Sequence, residues 1–178
     1  MIRSVLLAAA IAVAVPASLE AAGLPVLTIS GTIETANRGP STTGDHTLLA
    51  AQGIVFDRGF TMSLEELAGL PQVERQAVPE GEETKVTYSG PRLVDVLEAA
   101  GAMGETVIVN ALDSYAPEIP MAMIKQHNPI LAISREGTPM PIGGQGPMVI
   151  VWPSTGNPDL AEQFRGWAVW AVYHIGVR

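Results

Sequence analysis

Glycine and proline punctuate this chain so closely that its apolar runs can form only short strands and short helices. Eighteen glycines and fourteen prolines fall among 178 residues. Proline removes a backbone donor and glycine a side chain, so helices and ladder strands end where they cluster. The segments between them can be read one at a time.

Leu24 to Ile33 suits a strand, with Gly31 interrupting it, and Thr35 to Asp45 has the polar, turn-forming composition of a loop. Ile54 to Met62 is a second short apolar segment. Ser63-Leu64-Glu65-Glu66 is a capping box that opens a helix, which Gly69-Leu70-Pro71 soon stops. Gln72 to Val78 and Thr84 to Tyr88 flank a Pro-Glu-Gly turn and predict a hairpin. Pro91 is placed at the first position of the clearest helix, whose stripe is Leu93, Val94, Leu97 and Ala100 and whose end is Gly101.

Thr106 to Asn110 reads as a strand and Pro120 to Gln126 as a short helix. Glu136-Gly137 joins Ile130–Arg135 to Thr138–Met140 as a hairpin. A glycine-rich loop, Gly143 to Pro147, leads into a strand from Met148 to Trp152. Asn157 starts a helix through Phe164, and Trp167 to Val177 is expected to be one long closing strand. Strands outnumber helices without regular βα alternation. The expected class is α+β, a β-rich mixed sheet with short helices.

The first residues read as an export signal, with an uncleaved membrane anchor or a buried first helix as the alternatives. Arg3 supplies positive charge, Val5 to Val15 is uninterrupted Val, Leu, Ala and Ile, and small residues follow at Ala17, Ala21 and Ala22. Cleavage after Ala22 would leave residues 23–178 as a single domain in a periplasmic compartment. The formal charge of −8 disfavours nucleic acid, whose phosphates need a basic face. No second apolar stretch of spanning length follows, so direct membrane insertion is not expected. The chain has no cysteine, and its mature form would work without a disulfide or a thiolate.

Familiar catalytic patterns are missing. His46, His127 and His174 fall on different segments without the spacing of a zinc pair. No Gly-x-Ser-x-Gly turn occurs, and Ser154 sits in a Pro-Ser-Thr-Gly turn. A strand, not a helix, follows Gly143-Gly144-Gln145-Gly146, so the loop lacks the helix N-terminus that phosphate cradles use.

The order of several phrases is more specific. Tyr88-Ser89-Gly90-Pro91-Arg92-Leu93-Val94-Asp95-Val96-Leu97 precedes Gly101-Ala102. Asn110-Ala111-Leu112-Asp113-Ser114-Tyr115-Ala116-Pro117-Glu118-Ile119-Pro120 follows, then Leu131-Ala132-Ile133, Pro139-Met140, Gly146 to Pro153, and Trp170-Ala171-Val172. In this order they resemble the oxidoreductase molybdopterin-binding domain, the sulfite-oxidase fold. That resemblance implies a mixed, β-rich α+β domain. Enzymes of the family hold molybdenum through a pterin dithiolene and one cysteine thiolate, a soft donor.

Without cysteine, the resemblance is to small periplasmic pterin-binding regulators of the family. It implies a non-catalytic ligand sensor that docks on the periplasmic part of an inner-membrane cyclic-di-GMP enzyme. Two alternatives stay open: a molybdopterin-dependent oxidoreductase with a non-cysteine metal ligand, and a scaffold-only interaction module. In short relatives the stretch before Gly146-Pro147 carries charged residues. Here Ile142 to Gln145 are uncharged, which favours an unphosphorylated pterin over the full cofactor.

A pterin offers a flat ring and a guanidine-like edge that a carboxylate can pair bidentately. Asp113 and Glu118 are the candidate carboxylates, or else solvated loop residues. Tyr115, Trp152, Trp167 or Trp170 could stack on the ring, with Trp167 and Trp170 expected on opposite faces of the closing strand. Gln145 and the backbone at Gly143 and Gly144 are candidates for the ring's carbonyl and nitrogens. Arg92 and Arg165 are candidates for a polyol tail, or surface ion pairs.

Overall fold

The computed structural model describes residues 23–178. The export-signal reading of residues 1–22 lies outside the described residues. Among the described residues three sheets and five short helices make up the fold. The largest sheet has the order β2-β1-β11-β5-β6, built from Gly59–Ser63, Pro25–Gly31, Val172–Val177, Thr106–Ala111 and Glu118–Pro120. Within it β1 and β11 run parallel and every other pair is antiparallel.

A four-stranded antiparallel sheet has the order β3-β4-β8-β9, from Gln72–Ala77, Val86–Pro91, Ser134–Arg135 and Thr138–Pro139. β7 (Ile130–Ala132) and β10 (Val149–Val151) form an antiparallel pair. The class is the α+β, mixed-sheet arrangement expected from the punctuation.

Local signals set several elements. Ser63 Oγ accepts from the Glu66 amide at 3.1 Å, and the Glu66 carboxylate accepts from the Ser63 amide at 2.7 Å. This reciprocal cap starts α2 (Leu64–Gly69). Glu136 and Gly137, with φ of 49° and 71°, make the left-handed two-residue turn between β8 and β9. Asn157 caps α5 (Pro158–Gly166) by accepting from the amides of Asp159 and Leu160.

Three expectations change. Pro91 closes β4, opposite Gln72, and does not open the helix. Arg92 is the N-cap of α3 (Leu93–Ala99), and the free Leu93 amide donates to the carbonyl of Pro129 at 2.8 Å. Ile130–Arg135 is not one strand, because Ile130–Ala132 pairs with β10 while Ser134–Arg135 pairs with β4.

The closing strand is also shorter than expected. Trp167 ends α5, and only Val172–Val177 joins the sheet. Between them Ile150 donates to the Val169 carbonyl, and Ala171 (φ 49°) donates to the Gln145 carbonyl. Those contacts turn the chain before the strand begins. Trp167 and Trp170 are therefore not partners on a strand.

One face of the large sheet carries the main core, including Leu27, Ile29, Val109 and Ile175, packed with Leu93 and Leu97 of α3. A smaller core joins the other sheets through Tyr88, Ile130, Ala132, Val149 and Val151. At the junction β4 crosses β7 closely. A Cβ on Gly90 would lie 2.1 Å from the Leu131 carbonyl oxygen, so only glycine fits there.

Candidate functional site

Where the smaller core reaches the surface it leaves a cleft of about 620 Å³, within the usual range for a small-molecule pocket. Its floor is β10 with Trp152 and Tyr88. One wall is α5 with Phe164 and Arg165, continued by Trp170, and the opposite rim is Val78 to Glu80, after β3.

The aromatic wall is fixed by packing. Trp152 stacks on Phe164 with ring centroids 4.5 Å apart, and Trp167 lies tilted at 5.4 Å. The Trp152 indole N–H donates to the Trp167 carbonyl at 3.0 Å, satisfying the polar edge of a side chain only 6% exposed. Trp170 is 38% exposed and is the aromatic free to meet a ligand.

A polar relay supports the floor. Buried Tyr88 donates its hydroxyl to Gln145 Oε1 at 2.7 Å, and Arg135 donates to the same oxygen at 3.5 Å. Arg135 also pairs with Glu82 beyond the rim. Burial pushes the Tyr88 phenol above its ordinary value, so it stays a neutral donor. The Gln145 carbonyl accepts from Ala171, which ties this loop to the segment carrying Trp170.

The expected site residues divide. Trp152, Arg165 and Trp170 line the cleft, and Gln145 reaches it through Tyr88. Trp167 packs behind Trp152 and does not line it. Gly143 and Gly144 do not line the cleft: a Cβ on Gly143 would meet no atom within 4 Å and its φ of 101° serves the turn, while the Gly144 amide donates to the Pro141 carbonyl at 3.4 Å.

The two chosen carboxylates are elsewhere. Asp113 Oδ1 accepts from the Tyr115 amide at 3.0 Å, an Asx turn. Tyr115 is 48% exposed and donates its hydroxyl to the Gly166 carbonyl. Glu118 lies on β6, paired with Arg178 at 3.3 Å. Arg92 pairs with Asp95 at 3.0 Å and does not line the cleft. Arg165 likewise pairs with Glu162, but at the cleft's edge.

Sequence reasoning missed Tyr88, Phe164 and Glu80. Glu80 is an exposed carboxylate on the rim, hidden in the sequence as part of a hairpin turn. Tyr88 opened the most recognisable phrase, two residues before Gly90, and that phrase was the available signal.

Comparison with known proteins gives two results. Residues 39–156 match the family model described as "Oxidoreductase molybdopterin binding domain". Among solved structures, the fold is similar to that of the sulfane dehydrogenase SoxCD from Paracoccus pantotrophus, with a TM-score of 0.57 and 16% identity. That match covers 85% of this chain and 37% of the SoxCD chain, so it speaks to the fold alone. No curated protein sequence matches significantly.

Proposed function

The chain belongs to the oxidoreductase molybdopterin-binding domain family, and we propose that it uses that fold to bind a pterin without doing molybdenum chemistry. The observation that carries the reading is the pairing of an aromatic, pterin-sized cleft with a donor set that does not fit the metal. The chain has no cysteine to supply a thiolate. Among the described residues no three His, Asp or Glu side chains gather where they could hold a metal ion instead.

The cleft's chemistry suits a flat, uncharged heterocycle. Trp170 offers a free aromatic face and Glu80 a rim carboxylate for the guanidine-like edge. Ser154 and Thr155 add hydroxyls for a polyol tail, near Arg165, whose charge is already paired with Glu162. Export to the periplasm follows on this reading from the first residues. The bound state would be read by the periplasmic part of a membrane cyclic-di-GMP enzyme, a partner supported by the family resemblance.

Calorimetric titration with neopterin tests the proposal. Binding in the micromolar range or tighter is expected, and weaker by at least several-fold for Trp170→Ala. No heat with oxidised or reduced neopterin on a folded sample would refute it.

A further inference from the structure

The face of the large sheet turned away from the main core carries a row of polar side chains at its centre. Ile29, Ile175 and Val109 point into the core, so their neighbours Ser30, His174 and Asn110 point the other way, from three adjacent strands. Ser30 Oγ lies 2.9 Å from His174 Nε2, and Asn110 Nδ2 lies 2.9 Å from His174 Nδ1. All three line a cleft of about 880 Å³ that is separate from the pterin cleft.

The spacing is that of a nucleophile, a base and an orienting group. The protons are on the wrong atoms for that use. The Asn110 amide nitrogen sits between His174 Nδ1 and the Ile108 carbonyl, at 3.4 Å, both acceptors. Its oxygen in that position would face the carbonyl with no hydrogen between. Asn110 therefore donates to Nδ1, the imidazole proton is on Nε2, and Nε2–H donates to Ser30 Oγ. Ser30 is an acceptor here, and nothing draws its proton away. Burial first, and Arg38 second, lower His174 to about 4, which keeps the ring neutral and this arrangement fixed near neutral pH.

Two hydrogen-bonding positions are left over: the hydrogen of the Ser30 hydroxyl and Asn110 Oδ1, a donor and an acceptor with no partner among the described residues. An imidazole and two hydrogen bonds separate them, too far for a single amide and within reach of a sugar ring. The lining carries two arginines, Arg58 and Arg178, and two carboxylates, Asp57 and Glu118, so its formal charges balance; Arg58 donates to the Ile33 carbonyl at 2.6 Å and Arg178 to Glu118 at 3.3 Å. Phe56, stacked parallel to the imidazole at 6.1 Å, and Ile108 add apolar surface.

We propose that this cleft is a second ligand site, taking an uncharged polyhydroxylated molecule of sugar-ring size between the Ser30 hydroxyl and the Asn110 carboxamide. A buried polar row costs stability against an apolar one, and the unused donor and acceptor give it a purpose. The inference does not depend on pterin binding.

The test is NMR titration of the isotope-labelled protein with glucose, ribose and N-acetylglucosamine. N-methylacetamide serves as the amide control and glucose 6-phosphate as the charged one. At least one neutral sugar should shift the Asn110 side-chain amide and the His174 ring nitrogens, which should show Nε2 protonated. Asn110→Ala should weaken that binding at least tenfold, and Trp170→Ala should leave it unchanged. Ser30→Ala should act like Asn110→Ala; if it fails to fold, Asn110→Ala alone decides. The proposal is overturned if no sugar shifts these signals, if the amide or phosphate control binds more tightly, or if Nδ1 carries the proton. Hydrolysis of p-nitrophenyl acetate that disappears in Ser30→Ala would overturn it as well.

Discussion

Replacing Trp152 by alanine should remove part of the floor of the proposed pterin cleft and a large buried aromatic from the main core. A tryptophan buries about 150–250 Å² on folding, which at ~25 cal/mol per Å² is worth roughly 4–6 kcal/mol as an upper bound. Trp152 is 6% exposed, stacks on Phe164 at 4.5 Å and donates to the Trp167 carbonyl at 3.0 Å, so nearly all of that applies. Truncation of a buried aromatic costs about 3–5 kcal/mol, and ~4 kcal/mol is expected here. Set against a total of roughly 5–15 kcal/mol, the variant should be folded but fragile. In urea, with a slope of about 2 kcal/mol per M, the midpoint should fall by ~2 M. Trp152→Phe keeps a ring against Phe164 and loses the indole N–H, so it should cost about 1–2 kcal/mol. Equilibrium unfolding followed by circular dichroism measures both. A loss below ~1 kcal/mol for Trp152→Ala, or a larger loss for phenylalanine than for alanine, would refute the reasoning.

Other perturbations test other parts of the account. Ser63→Ala removes half of a reciprocal cap and should lower stability by about 1 kcal/mol in the same assay. Gly90→Ala pushes a Cβ into the Leu131 carbonyl and should prevent a normally folded product, whereas Gly156→Ala, with nothing within 4 Å, should unfold as wild type does. His174 is depressed to about 4 in the fold from an ordinary 6.5, so between those values the unfolded chain binds the extra proton. Stability should be complete above pH 6.5 and fall by about 3 kcal/mol as pH drops to 4, a slope that His174→Gln should flatten in urea titrations at several pH values. Trp170→Ala should leave the urea midpoint nearly unchanged while weakening neopterin about threefold to tenfold, the worth of a stacked aromatic.

Features written within a few residues were legible in the sequence. The Ser63–Glu66 box, the Asn157 cap and the Glu136-Gly137 turn depend only on neighbours in the chain, and each formed where its residues stood. The fate of Trp167 to Ala171 depended on partners far away. The Ile150 amide and the Gln145 carbonyl bond that segment and turn it out of the strand that its apolar pattern suggested. Pro91 was misjudged for a similar reason, since the carbonyl that receives the first helical amide belongs to Pro129.

The candidate site was legible only in part. Trp152, Arg165 and Trp170 come from one stretch of chain that folds around the cleft. Asp113 and Glu118 were chosen because they flank Tyr115, but sequence proximity did not carry them to the aromatic wall. The polar row on the large sheet was not legible as a group, although His174 stood out as one of three scattered histidines. Ser30, Asn110 and His174 are 80 and 64 residues apart along the chain, and only the strand order β1-β11-β5 brings them side by side.

The proposal stands or falls on whether this domain binds a pterin and holds no molybdenum. The most direct measurement purifies the full chain from cells that make both pterins and molybdenum cofactor, then quantifies molybdenum and acid-released fluorescent pterin in one sample. The account predicts a pterin at near one per chain, at lower occupancy in Trp170→Ala, and no stoichiometric molybdenum. Molybdenum at one atom per chain would contradict it.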